Sequence, residues 1–139
     1  DDVCARRILF TIRMNELTEI AVKILKGGTL SKADMHILEK YGIRGKTSEM
    51  LCGIVNKQHE LLRDLYDVST PEIERIVTAA LDAGALCAKI SGAGLGGCII
   101  ALCDEGQVSD VVAACLDAGA RRVWHVHADD GVVVEKSEH

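Results

Sequence analysis

Four glycines fall among the six residues from Gly92 to Gly97, inside the stretch Lys89-Ile90-Ser91-Gly92-Ala93-Gly94-Leu95-Gly96-Gly97-Cys98. Short apolar runs flank them, Ala85 to Ser91 before and Cys98 to Cys103 after. Runs of that length around turn-forming residues predict two strands joined by the loop, so the chain doubles back here. Glycine takes positive φ and has no Cβ, so successive N–H groups of such a loop can converge on an anion, or the loop can lie flat against another one.

Upstream, the period is helical. Ile8, Ile12, Leu17, Ile20 and Ile24 recur with charges between them over Val3 to about Leu25, and Gly27-Gly28 ends the pattern. A shorter helix is predicted from Lys32 to Tyr41, before Gly42, and a longer one from Ser48 to Tyr66 with Leu51, Ile54, Val55, Leu61, Leu62 and Leu65 as its buried stripe. Thr70 is placed to cap a fourth helix, with Pro71 at its first position and Glu72 and Glu74 in a first turn where the helix dipole favours negative charge. Gly84 stops it.

The phrase Leu-Asp-Ala-Gly-Ala occurs at Leu81 to Ala85 and again at Leu116 to Ala120. In each place it closes a helix, the second one running from Val108 to Ala118, and opens a predicted strand; glycine suits the left-handed position after a helix. Arg122 to His127 and Val132 to Glu135 read as two further strands across the turn Asp129-Asp130-Gly131. The second half therefore reads α-β-β-α-β-β, an α+β, ferredoxin-like arrangement with an antiparallel sheet and helices packed on one face. The N-terminal helices add to the helical layer.

A chain of 139 residues is long enough for one buried core and short for two domains. Its net charge of -5, without a basic stripe, argues against nucleic acid as a partner. No apolar run reaches the roughly 20 residues of a membrane span, and the first residues lack the regions of a signal peptide. The six cysteines sit within predicted helices and strands without CxxC spacing, so they read as reduced core thiols in a cytoplasmic protein, with no metal site.

Gly92, Gly94 and Gly97 satisfy GxGxxG, yet Cys-Ile-Ile-Ala-Leu follows as a strand where a dinucleotide loop would open a helix. A protein kinase is excluded by the absence of HRD and DFG triplets, and a Walker A loop by the absence of its lysine and hydroxyl residue. By spacing alone, a tight hairpin with glycines for packing stays open.

The segment Ala88 to Cys98 resembles the third motif of the GHMP kinases, and within them the mevalonate kinases most. Gly84-Ala85-Leu86-Cys87-Ala88-Lys89 stands where that group has Gly-Ala-Leu-Gly-Ala-Lys, and Val68-Ser69-Thr70-Pro71-Glu72-Ile73 is similar too. Galactokinases, a sister group, are resembled by His59 to Tyr66, whereas Lys89, Ile90 and Leu95 differ from their usual loop. The resemblance implies ATP-dependent phosphoryl transfer to a small-molecule alcohol. It implies that Ser91, Gly92, Ala93, Gly94, Leu95, Gly96 and Gly97 contact substrate and phosphate loop, with Ser91 and Ala93 nearest the acceptor. ATP and Mg2+ would be held mainly by an N-terminal domain whose Gly/Ser-rich loop, magnesium-binding Glu and catalytic Asp are not found between Asp1 and His139.

The expectation is therefore a single C-terminal domain over 1–139, a fragment that begins without Met, contains no catalytic residue and is inactive alone. Its partners would be its own N-terminal kinase domain and, through an apolar face left uncovered, further copies of itself. The rival class is a non-catalytic ferredoxin-like module that holds a metabolite in the glycine loop. His125 and His127 share a strand face but lack a third ligand at suitable spacing, so they read as exposed. Trp124 opposite them reads as core, Arg121-Arg122 as a solvated edge, and His59 and Glu60 as surface residues.

Overall fold

The structure, a computed structural model, describes residues 2–128. Helices α1 (Asp2–Leu25), α2 (Lys32–Lys40), α3 (Thr47–Asp64) and α4 (Pro71–Asp82) precede strands β1 (Cys87–Ser91) and β2 (Cys98–Leu102), and a 3-10 turn at Glu105–Gln107 leads into α5 (Val108–Asp117). The strands pair antiparallel, with Lys89 opposite Ile100 and Ser91 opposite Cys98. The α+β arrangement predicted from the sequence is thus present, with a two-stranded sheet among the described residues.

Two buried clusters divide the molecule. Leu17, Ile20 and Ile24 of α1 meet Leu38 of α2 and Met50, Ile54 and Leu61 of α3. Ala88 and Ile90 of β1 meet Ile73, Val77 and Ala80 of α4 and Val111 and Cys115 of α5. Helix α3 belongs to both, because Leu62 turns from the first cluster to pack on the second. It also lies along the edge of β1, where the Asn56 side chain stands in for a strand. Asn56 Oδ1 accepts from the Ala88 N–H at 3.0 Å and Nδ2 donates to Leu86 O at 3.5 Å. An otherwise unmatched backbone donor and acceptor are satisfied in this way.

Both copies of Leu-Asp-Ala-Gly-Ala end their helices alike. Gly84 has φ +105° and Gly119 φ +106°. The Ala85 N–H reaches Ala80 O and the Ala120 N–H reaches Cys115 O, each at 2.9 Å, the six-to-one bond of a glycine-terminated helix. After the second copy no strand is formed among the described residues. Residues 121–128 run without regular structure, while Val132–Glu135 and the turn before it lie outside the described residues. The physical reason lies in the alternation itself: Trp124 is 66% and Val126 76% exposed, so neither side of the segment is buried to fix a register. Trp124 is therefore not core.

Three other expectations change. Ile8 and Ile12 are exposed, while Phe10 and Met14 pack partly buried on the first cluster and Leu17, Ile20 and Ile24 are buried in it. His59 is buried, since Val55, His59 and Leu62 fall on the side of α3 that turns toward the sheet. Cys87 and Cys115 are core thiols, whereas Cys4 and Cys98 are exposed. Burial, and then the neighbouring Cys52, push the Cys87 thiol up, so it remains protonated.

The start of α2 shows how local sequence sets a joint. Ser31 Oγ accepts from the Asp34 N–H at 3.1 Å, and Asp34 Oδ2 accepts from the Ser31 N–H at 2.8 Å. Lys23 of α1 donates to Asp34 Oδ1 at 2.7 Å, tying α1 to α2. The Lys23 ammonium, then the Ser31 backbone and hydroxyl, hold the Asp34 carboxyl down to about 2 against an ordinary 3.8. A depressed folded value means stabilisation that is complete above 3.8 and lost as pH falls toward 2. Urea unfolding should find Asp34→Asn less stable by about 1–2 kcal/mol at neutral pH. The difference from wild type should narrow toward pH 2.

Candidate glycine-loop site

The hairpin presents Ser91–Gly97 at one end of the sheet, and the backbone there is unusual. Gly92, Gly94, Leu95, Gly96 and Gly97 all have positive φ, from +59° at Leu95 to +125° at Gly96. Glycine is needed most at Gly94. A Cβ there would lie 2.5 Å from Val68 Cβ and 2.9 Å from Val68 O, so the loop rests directly on the segment before α4. One residue on, the Leu95 N–H donates to Val68 O at 2.7 Å. Leu95 accepts a left-handed conformation that a side chain disfavours, and its side chain is 72% exposed.

The other side of the loop is open. An added Cβ at Gly92, Gly96 or Gly97 would meet nothing within 4 Å. Ser91 is half-buried at the end of β1, and Ala93 is exposed at the turn. All seven residues expected to touch a ligand are therefore consecutive on one hairpin, anchored by Gly94 and Leu95 and free at the remaining glycines. In β1, two residues before Ser91, burial pushes the Lys89 ammonium below its ordinary range.

The Val68 support is itself fixed. The Thr70 hydroxyl caps α4 by accepting from the Ile73 N–H at 3.4 Å. Beside it, the Ser69 hydroxyl and His59 Nε2 both reach Glu74 Oε1, the histidine at 3.0 Å, and Arg63 Nη1 reaches Glu74 Oε2 at 3.4 Å. Burial raises the Glu74 carboxyl, but Ser69, His59 and Arg63 outweigh it and hold it below its usual range. His59, Arg63 and Glu74, with Asn56, line a cleft between α3 and α4. Sequence reading missed this network, although the spacing of Val55, His59 and Leu62 signals a buried histidine. It also found no third ligand for His125 and His127; the structure brings Glu105 from the 3-10 turn beside them.

Residues 43–121 match the family model described as GHMP kinases C terminal. The chain is 37% identical over 134 residues to a mevalonate kinase of Thermococcus sibiricus, covering 94% of this chain and 39% of that protein. It is 36% identical over 126 residues to a mevalonate kinase of Pyrococcus furiosus, covering 89% of this chain and 37% of that protein. A galactokinase of Roseiflexus is 37% identical over 86 residues, 57% of this chain and 22% of that protein. The chain thus spans well under half the length of these relatives.

Two substitutions separate contact from conformation. Gly94→Ala should cost about 3 kcal/mol or more in unfolding free energy, because the new Cβ overlaps backbone as well as side chain. Gly96→Ala, strained only by its φ, should cost about 1 kcal/mol. Equal losses in thermal or urea unfolding would refute the Val68 contact as the anchor.

Proposed function

The chain belongs to the GHMP kinases through their C-terminal domain, and from that premise we propose that it forms the C-terminal half of an ATP-dependent small-molecule kinase acting on mevalonate. In this reading an N-terminal domain, outside 1–139, supplies the ATP loop, the magnesium-binding Glu and the catalytic Asp. The observation that carries the proposal is a glycine loop pinned to Val68 on one side and open on the other.

The loop suits an anion. With the Leu95 N–H committed to Val68 O, the donors for phosphoryl oxygens come from Gly92, Ala93, Gly94, Gly96 and Gly97. Donors fixed in advance need no reorganisation as charge develops during transfer. Ser91 and Ala93 lie where the acceptor alcohol would enter. No residue from Ser91 to Gly97 is a carboxylate, so the loop fits phosphate and not magnesium, whose oxygen ligands must come from elsewhere. ATP, when bound, supplies the transferred phosphoryl group; the loop's part is to orient and exclude water.

One further feature supports a second domain. The exposed Ile8 and Ile12 form an apolar face on α1, of the kind a neighbouring domain or a second copy covers. No helix among the described residues is long and apolar enough to cross a membrane, in keeping with a cytoplasmic kinase. Galactose is the second acceptor to weigh, because of the galactokinase similarity through part of the chain.

ADP release by the full-length protein, measured with mevalonate and with galactose, tests the proposal. Mevalonate should be turned over, and Gly96→Ala should lower kcat by about tenfold or more while the protein stays folded at its cost of about 1 kcal/mol. Turnover of galactose alone would reassign the acceptor, and turnover of neither would overturn the kinase reading.

A further inference from the structure

We infer that Glu105, His125 and His127 form a binding site for a divalent first-row transition ion, zinc being the best match. The site is separate from the glycine loop and rests on different elements. His125 and His127 are alternate residues of the segment after α5, and their imidazoles lie side by side. Their ring centroids lie 4.5 Å apart, edge to face. Glu105, twenty positions earlier in the chain, places Oε1 3.8 Å from His125 Nε2 and 3.7 Å from His127 Nδ1.

Those separations decide between a bonded cluster and a gathered one. Both exceed hydrogen-bond length, so neither imidazole is satisfied by the carboxylate. Around a tetrahedral ion with bonds of about 2.0–2.1 Å, neighbouring ligand atoms stand about 3.4 Å apart. One ligand atom from each residue already lies within 4.8 Å of the other two. Small rotations of three exposed side chains would bring them to that distance without moving backbone. Two imidazoles and one carboxylate favour zinc, copper or nickel over magnesium or calcium, which prefer oxygen alone. Water would complete the coordination on the open side.

The partners for this ion are local. The site joins the 3-10 turn after β2 to the segment after α5, two stretches that are otherwise separated by the whole of α5. An ion there would close the loop Glu105 to His127 and restrain a segment that pairs with no strand among the described residues.

Calorimetric titration of zinc chloride into the full-length, tag-free protein at neutral pH tests the site, with cobalt absorption as a second readout of tetrahedral geometry. One equivalent should bind, and Glu105→Gln, His125→Ala and His127→Ala should each weaken binding tenfold or more. His36→Ala, an exposed histidine on α2, should leave it unchanged. All four side chains are exposed, so loss of fold would not explain a loss of binding, and circular dichroism checks this. Absence of saturable binding would overturn the inference. So would zinc binding that survives Glu105→Gln, or that falls equally in the His36→Ala control.

Discussion

Helix α3 is the wall that the rest of the molecule shares. One of its sides closes the cluster of Leu17, Ile20 and Leu38, the other faces β1, and Asn56 terminates the sheet by bonding to the Leu86 carbonyl and the Ala88 N–H. Losing that amide is costly because Ala88 is buried, and an unmatched buried backbone group costs about 1–3 kcal/mol. The consequence reaches the loop. Asn56 fixes β1 against α3, β1 fixes the hairpin, and the hairpin carries Gly92–Gly97 to Val68. Since Val68 follows directly from the end of α3, the glycine loop and its support are both referenced to the same helix.

That economy explains why no residue of the loop needs a large side chain. Positioning is done by backbone: Gly94 lies against Val68 where a Cβ would not fit, and the Leu95 N–H bonds to the Val68 carbonyl. Behind Val68, the Ser69–Glu74–His59 cluster locks the turn into α4 with hydrogen bonds to one carboxylate. A loop held from behind in this way can keep an open face toward a ligand.

Much of this was legible in the sequence where a local rule applies. Thr70 and Pro71 announced α4, Gly84 and Gly119 announced two helix ends with φ values one degree apart, and the apolar runs around Gly92–Gly97 announced the hairpin. The errors share a cause. Periodicity marks Ile8, Ile12 and Trp124 as apolar but says nothing of whether another surface covers them, and here none among the described residues does. Polarity marked His59 as a surface residue, while its spacing from Val55 and Leu62 placed it inside. Glu105 meets His125 and His127 only through the path of α5, which no local pattern encodes. The seven loop residues could be named as candidates because they are contiguous; the network behind them spans α3 and α4 and could not.

The hairpin is asymmetric in a way that bears on its motion. Strand β1 is bonded along both edges, to β2 on one side and to Asn56 on the other, and Ala88 and Ile90 are buried. Strand β2 is bonded to β1 alone among the described residues, and its alternate residues Cys98, Ile100 and Leu102 face outward. Protection of backbone amides from solvent exchange should therefore fall from β1 to β2. The glycine loop joins a fast-exchanging strand to a slow one, so its Gly97 end would breathe with β2 while its Ser91 end keeps time with the core.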